Sequence, residues 1–135
     1  EPGLVFSPPL KGTDKDDGIL TASEIAQLKL NADWVILSAC NTAAPDGTPG
    51  AEGLSGLAKA FFYAGTRSLL VSHWPVESEA AKALTTGMFL TARDKTTGRS
   101  EALKRSMMAF LDTPAEPYLT HPAFWAPFSI VGEGR

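Results

Sequence analysis

The sequence predicts an α/β domain in which helices connect parallel strands. Two apolar runs, residues 34–37 and 68–73, show no polar alternation and are typical of strands buried on both faces of a sheet. An amphipathic stretch at residues 53–64 lies between them, and a strand, a helix and a strand in this order form a right-handed crossover between parallel strands. The carboxyl ends of both strands are therefore expected at the same edge of the sheet.

Length and composition fit one domain or the larger part of one. The chain has 135 residues, of which 44% are hydrophobic and 20% charged. The net charge is −3 and the basic residues are not clustered, which excludes a nucleic-acid-binding surface. No apolar run approaches the ~18 residues that cross a bilayer. Because a single cysteine suits a reducing compartment, we expect a cytoplasmic protein without membrane contact.

The first part of the chain predicts a hairpin. Apolar runs at residues 4–7 and 18–20 flank turn-forming and charged residues, which are expected to form a solvated, mobile tip. The acidic residues of this tip lack the later bidentate carboxylate that a calcium loop requires. The two distant histidines and one cysteine also form no ligand cluster, and no glycine-rich phosphate motif occurs. We therefore expect neither a metal nor a cofactor.

A capping box marks the first helix. The Thr21 hydroxyl is expected to accept from a first-turn amide while Glu24 reaches back to the Thr21 amide. The predicted helix runs about two turns to Leu30, with Ile25 and Leu28 facing inward.

Three further elements follow the crossover. Apolar periodicity predicts helices at about residues 77–93 and 100–111, and a last strand is predicted at residues 127–132. The helix at residues 53–64 is expected to end at Gly65. His121 precedes a proline in the connector to the last strand and is interpreted as a structural residue.

Cys40 ends the first buried strand. In open α/β sheets, ligands and catalytic groups gather at the carboxyl ends of strands, so a thiol there is a candidate nucleophile. A nearby helix N-terminus would favour its thiolate. Cysteine is also among the most buried residue types, and the pattern alone favours a packing role. The loop at residues 41–50 is expected to shape a site at this edge.

Several segments together resemble the CHAT domain, a caspase-like cysteine peptidase domain that is often attached to tetratricopeptide repeats. They are, in chain order, SACNTA (38–43), AEGLSGLAKAF (51–61), AGTRS (64–68), VSHWPV (71–76) and HPAFWAPF (121–128). The resemblance covers nearly the whole chain. It implies a caspase-like three-layer sandwich with a mostly parallel sheet, and it implies that Cys40 is the nucleophile.

The resemblance also implies a general-base histidine in a His-Gly motif upstream of the matched part. No His-Gly pair occurs here, and the sequence begins at Glu1 without methionine. We therefore expect residues 1–135 to be the C-terminal portion of a single CHAT-type domain whose N-terminal part is missing from this chain. Such a chain is expected to be inactive, or nearly so, by itself.

By the same resemblance, the segment after the second buried strand forms part of a substrate groove and pairs with an extended peptide by β-addition. The candidate substrate-binding residues are His73, Trp74, Pro75, Val76 and Glu77. A tryptophan at a strand end can instead cap the core. Glu77 either selects a basic side chain or caps the next helix. His73, the in-chain alternative as base, is interpreted as lining the groove or bonding a backbone group.

The implied function is a cysteine endopeptidase that cleaves a protein through a Cys40 thioester. In the family that the chain resembles, attached repeats or partner proteins commonly switch the protease in bacterial regulatory or defence pathways. The expected partners are thus a protein or peptide substrate and a regulatory repeat region. One alternative is an inactive pseudo-peptidase that binds an extended peptide. Another is a doubly wound domain that binds a small ligand while Cys40 is buried.

Overall fold

The computed structural model describes residues 1–13, 17–38 and 56–135. Its strands are β1 (Gly3–Val5), β2 (Ile19–Thr21), β3 (Val35–Ile36), β4 (Ser68–Ser72) and β5 (Phe128–Gly132). Its helices are α1 (Ala22–Gln27), α2 (Gly56–Tyr63), α3 (Ser78–Ala92), α4 (Arg99–Asp112) and α5 (Pro122–Trp125), with a 3-10 helix at Pro117–Thr120. The centre of the predicted hairpin tip, Cys40, the loop at residues 41–50 and the predicted start of the second helix lie outside the described residues.

The predicted hairpin is confirmed as an antiparallel pair of β1 and β2. Leu4 is the register partner of Leu20, and both pack against the core. On the opposite face, the register partners Val5 and Ile19 are exposed. The hairpin therefore contributes one apolar face to the interior, as period-2 alternation requires.

The capping box of α1 is confirmed, but the helix is shorter than expected. The Glu24 amide donates to Thr21 Oγ1 at 3.3 Å, and the Thr21 amide donates to Glu24 Oε2 at 2.8 Å. Leu28 was expected to face inward, yet it is 38% exposed. It has extended backbone (ψ 151°), because the chain has already left the helix; the Leu30 amide donates instead to the Ala64 carbonyl.

The second sheet has the order β3-β4-β5. The parallel pairing of β3 with β4 is confirmed, whereas β5 runs antiparallel to β4. Within the described residues the sheet is therefore mixed, and the expectation of a mostly parallel sheet is not met. The physical reason lies in the connector between α4 and β5, residues 113–127. The His73 amide donates to the Pro127 carbonyl at 2.9 Å, so β5 starts where β4 ends and must run back along it.

Side chains of β4 alternate between two core clusters. Leu69 and Val71 belong to the first cluster, which holds residues of α1 and α2, and Leu70 belongs to the second, which holds residues of α3 and α4. All five residues of β4 are buried. Helices thus cover both faces of the mixed sheet, and the carboxyl ends of β3 and β4 lie at one edge of it.

Helices α2, α3 and α4 follow the predicted periodicity closely, whereas α5 and the 3-10 helix lie in the predicted connector, where no helix was expected. Gly65 ends α2 with a φ of 96°, which is the left-handed conformation expected of a helix-terminating glycine. Helices α3 and α4 pack against each other, and the buried Ser106 hydroxyl donates to the Leu84 carbonyl at 2.7 Å. Met88 is fully buried in this interface, in agreement with a packing role.

Candidate functional site

The candidate site lies at the edge where β3 and β4 end. Cys40, the expected nucleophile, lies outside the described residues, which reach Ser38 on this side. The strand leading toward it is well anchored, because Leu37 is buried and its amide donates to the Leu70 carbonyl at 2.8 Å. The chain that leads to Cys40 and the loop that follows β4 therefore leave the sheet from neighbouring strands.

We call residues 73–77, which follow β4, the β4–α3 loop. His73 and Trp74 lie next to each other there, with ring centroids 6.4 Å apart. Pro75 is exposed, while Val76 is partly buried and packs against the second core cluster. The loop therefore turns one residue into the core and leaves most of its remaining surface accessible.

The His73 imidazole is bonded to β5. Its Nε2 lies 2.8 Å from Ser129 Oγ, a side-chain hydroxyl rather than the expected backbone group. Because β5 flanks β4 on the side opposite β3, this bond directs the ring away from the strand that leads to Cys40. The geometry gives His73 a role in holding the loop, and it does not support His73 as the base.

Trp74 combines a hydrogen bond to the connector with an exposed surface. Its indole N–H donates to the Ala123 carbonyl at 3.0 Å, and its side chain remains 38% exposed. A tryptophan that is polar at one end and accessible at the other suits a contact surface. Trp74 belongs to neither core cluster, so the structure does not show it capping the core, and its role as a substrate contact stays a prediction.

Glu77 is the N-cap of α3. Its Oε1 accepts from the Glu79 amide at 3.0 Å and its Oε2 accepts from the Ala80 amide at 2.8 Å. These two hydrogen bonds, the one from Glu79 first, lower the pKa of the Glu77 carboxyl. Both oxygens thus serve the helix start, which favours capping over selection of a basic substrate side chain.

His121 caps α5, in agreement with the structural role expected for it. Its Nδ1 accepts from the Ala123 amide at 3.2 Å.

The sequence did not indicate that Ala123 and Ser129 contact the β4–α3 loop. Ala123 makes its contact through a backbone carbonyl, which its residue type does not reveal. Ser129 could have been noticed as a candidate only because it places a hydroxyl inside an otherwise apolar strand.

The described residues give no sign of a metal centre or a membrane span. In residues 1–13, 17–38 and 56–135, no group of three or more His, Cys, Asp or Glu side chains is arranged to hold a metal ion. The helices of those same residues are all too short or too polar to cross a bilayer.

Comparison with known proteins gives a family. The profile of the CHAT domain matches residues 1–133. Tetratricopeptide repeat protein 28 of Mus musculus is 32% identical over 119 residues, a match that covers 84% of this chain. The Homo sapiens protein of the same name is 30% identical over 114 residues and also covers 84%.

The chain spans about 4% of the length of these two relatives. Their name associates the domain with tetratricopeptide repeats, as expected, but both are mammalian and lend no support to a bacterial setting. No solved structure matches the chain. The family match extends over nearly every residue, and on this basis the chain belongs to the CHAT domain family.

Proposed function

We propose that residues 1–135 are the C-terminal portion of a caspase-like cysteine endopeptidase domain in which Cys40 is the nucleophile. Membership of the CHAT family over residues 1–133 is the observation that carries this proposal. The general base is a histidine supplied from upstream in the full-length protein. The substrate is a protein or peptide, the partner is a regulatory repeat region, and the setting is the cytoplasm.

The described fold supports the proposal in two respects. Helices pack on both faces of the mixed sheet, which is compatible with a caspase-like three-layer sandwich. Parallel pairing of β3 and β4 brings their carboxyl ends to one edge, where catalytic groups collect in α/β sheets. The β4–α3 loop leaves from the same edge, next to the strand that precedes Cys40.

The proposed reaction has two halves. The Cys40 thiolate attacks the scissile carbonyl carbon, and backbone amides stabilise the oxyanion that forms. The C–N bond then breaks, the amine leaves with a proton from the imidazolium, and a thioester remains. Water, deprotonated by the same histidine, attacks the thioester carbonyl. The C–S bond then breaks, which releases the carboxylic acid product and restores the Cys40 thiolate and the imidazolium.

The second candidate is a binding module. The sequence contains two histidines, and both are engaged elsewhere: His73 with Ser129 Oγ, and His121 with the Ala123 amide. This observation favours a groove without catalysis if no upstream histidine completes the site. A doubly wound domain that binds a small ligand has no support from the family match, which is to the CHAT domain.

The test uses the full-length protein and the Cys40→Ala variant. Each is incubated with a cell extract, and newly formed protein N-termini are labelled and identified by mass spectrometry. A peptidase produces new termini that are missing with Cys40→Ala. A protein that retains specific peptides equally in both forms, and produces no new termini in either, is the binding module.

A further inference from the structure

The conformation of the β4–α3 loop depends on the C-terminal part of the chain. The His73 amide donates to the Pro127 carbonyl at 2.9 Å, and the Trp74 indole donates to the Ala123 carbonyl at 3.0 Å. Both acceptors lie in the connector that leads to β5. The exposed face of Trp74 is therefore oriented by residues about fifty positions further along the chain.

The Ala123 peptide is itself held by His121. Helix α5 contains only four residues, and so short a helix has little stability of its own. Its first residue, Pro122, has no amide hydrogen to be capped. The next amide, that of Ala123, donates to His121 Nδ1 at 3.2 Å. The imidazole thus holds the Pro122–Ala123 peptide unit. The next unit carries the carbonyl that accepts from Trp74, and its Phe124 amide donates to the His121 backbone carbonyl at 3.0 Å.

The connector has other supports that do not involve the imidazole. The Trp125 indole donates to the Thr120 carbonyl at 3.0 Å, and the rings of Tyr118 and Phe124 meet nearly edge to face at 5.4 Å. Pro127 is fully buried. Loss of the His121 side chain should therefore loosen α5 without unfolding the domain.

We propose that His121 is a positioning residue for the substrate groove. Its Nδ1 holds the Ala123 amide and so the first turn of α5, the Ala123 carbonyl in that turn accepts from the Trp74 indole, and the indole sets the conformation of the loop along which an extended peptide pairs. This inference rests on the proposed function, because it requires the β4–α3 loop to border the groove. His121 acts through Trp74 and does not touch the reacting atoms.

The test compares two reagents on Cys40 in the full-length protein. Iodoacetamide measures thiol reactivity alone, whereas a set of peptidyl acyloxymethyl ketones with different P1 residues also requires an ordered groove. The measured quantity is the ratio of the peptidyl rate to the iodoacetamide rate, obtained by mass spectrometry of the Cys40 peptide. A Cys40→Ala protein supplies the blank.

We expect His121→Ala to lower this ratio on the order of fivefold, the effect of losing about one neutral hydrogen bond. His121→Asn should restore it, because asparagine is a preferred N-cap acceptor. Trp74→Phe keeps an aromatic ring but lacks the indole N–H, and it should lower the ratio similarly. Neither His121→Ala nor His121→Asn should alter the iodoacetamide rate.

An unchanged ratio in folded His121→Ala protein overturns the positioning role, whatever the Trp74→Phe ratio, while the wild-type preference for peptidyl reagents still supports the peptidase. Wild-type protein that reacts no faster with any peptidyl reagent than with iodoacetamide overturns the proposed function, and the positioning role with it. If His121→Ala loses its melting transition, His121→Phe takes its place, because it keeps a planar ring but lacks the Nδ1 acceptor. A lowered His121→Phe ratio supports the role, and an unchanged ratio overturns it.

Discussion

The backbone N–H of Leu37 donates to the carbonyl oxygen of Leu70 at 2.8 Å. This bond continues the parallel register of β3 and β4 beyond Ile36 and brings the ends of both strands to one edge of the sheet. The chain toward Cys40 and the loop that begins at His73 therefore start from adjacent positions. The proposed nucleophile and the proposed groove depend on this pairing.

Glu77 should make domain stability depend on pH. Capping of α3 lowers the pKa of its carboxyl below the ordinary value of 4.5, because the Glu79 and Ala80 amides stabilise the charged form. The stabilisation is present in full above the unfolded-state pKa and is lost as the pH falls through the lower, folded-state pKa. Glu77→Gln should therefore lower the melting temperature near neutral pH and reduce its decline below about pH 4.5.

Glu79→Gln is the matched control for this prediction. Glu79 lies in the same first turn, and among the described residues its carboxylate pairs with Lys82 at 3.6 Å, in an exposed ion pair. Such pairs contribute little to stability. Equal losses of melting temperature in the two variants would contradict the capping role of Glu77.

Gly87 should not tolerate a side chain. A Cβ at this position would lie 2.5 Å from Ser106 Oγ, where α3 and α4 pack together. We expect Gly87→Ala to lower the free energy of unfolding by roughly 1–3 kcal/mol through overpacking, as measured by urea denaturation. Thr86→Ala, an exposed change on the same helix, should have little effect.

The cause is testable by a double-mutant cycle. Ser106→Ala removes the hydroxyl and leaves the Ser106 Cβ 3.4 Å from the new methyl group. The double variant should therefore be less destabilised than the sum of the single changes. Strict additivity would mean that the Ser106 hydroxyl is not what excludes a side chain from position 87.

Gly65 should be replaceable by asparagine at lower cost than by alanine. Its φ of 96° lies in the left-handed region, where an alanine side chain is strained and asparagine is better tolerated. Gly65→Ala should lower the free energy of unfolding by about 1–2 kcal/mol. Gly65→Asn should lose clearly less in the same measurement. Equal losses would show that backbone conformation is not the limiting factor at this helix end.

Local patterns predicted much of the fold. The hairpin, the Thr21 capping box and the β3–α2–β4 order each depend on residues close in sequence, and their side chains suffice to indicate them. The direction of β5 was not predictable in this way. The direction of β5 depends on where the connector returns to the sheet. The hydrogen bond between the His73 amide and the Pro127 carbonyl marks that point, and it is visible only in the structure.

The candidate site was predictable in part. Patterning and family resemblance indicated Cys40 and the β4–α3 loop, but not what holds that loop. His73 and its partner Ser129 are 56 residues apart, and Trp74 bonds a backbone carbonyl that leaves no trace in residue type. For Glu77, the sequence could not distinguish capping of α3 from binding of a basic substrate side chain, because a carboxylate suits both roles. The hydrogen bonds to the first-turn amides favour capping.

The proposed function requires Cys40 to be an activated nucleophile. The most direct measurement is the rate of Cys40 alkylation by iodoacetamide as a function of pH in the full-length protein. We predict a midpoint well below the free-cysteine value of about 8.5. Substitution of the upstream histidine should raise this midpoint, whereas His73→Gln should not. A midpoint at or above that of free cysteine would contradict the claim and leave Cys40 as a core residue or a retired nucleophile in a binding module.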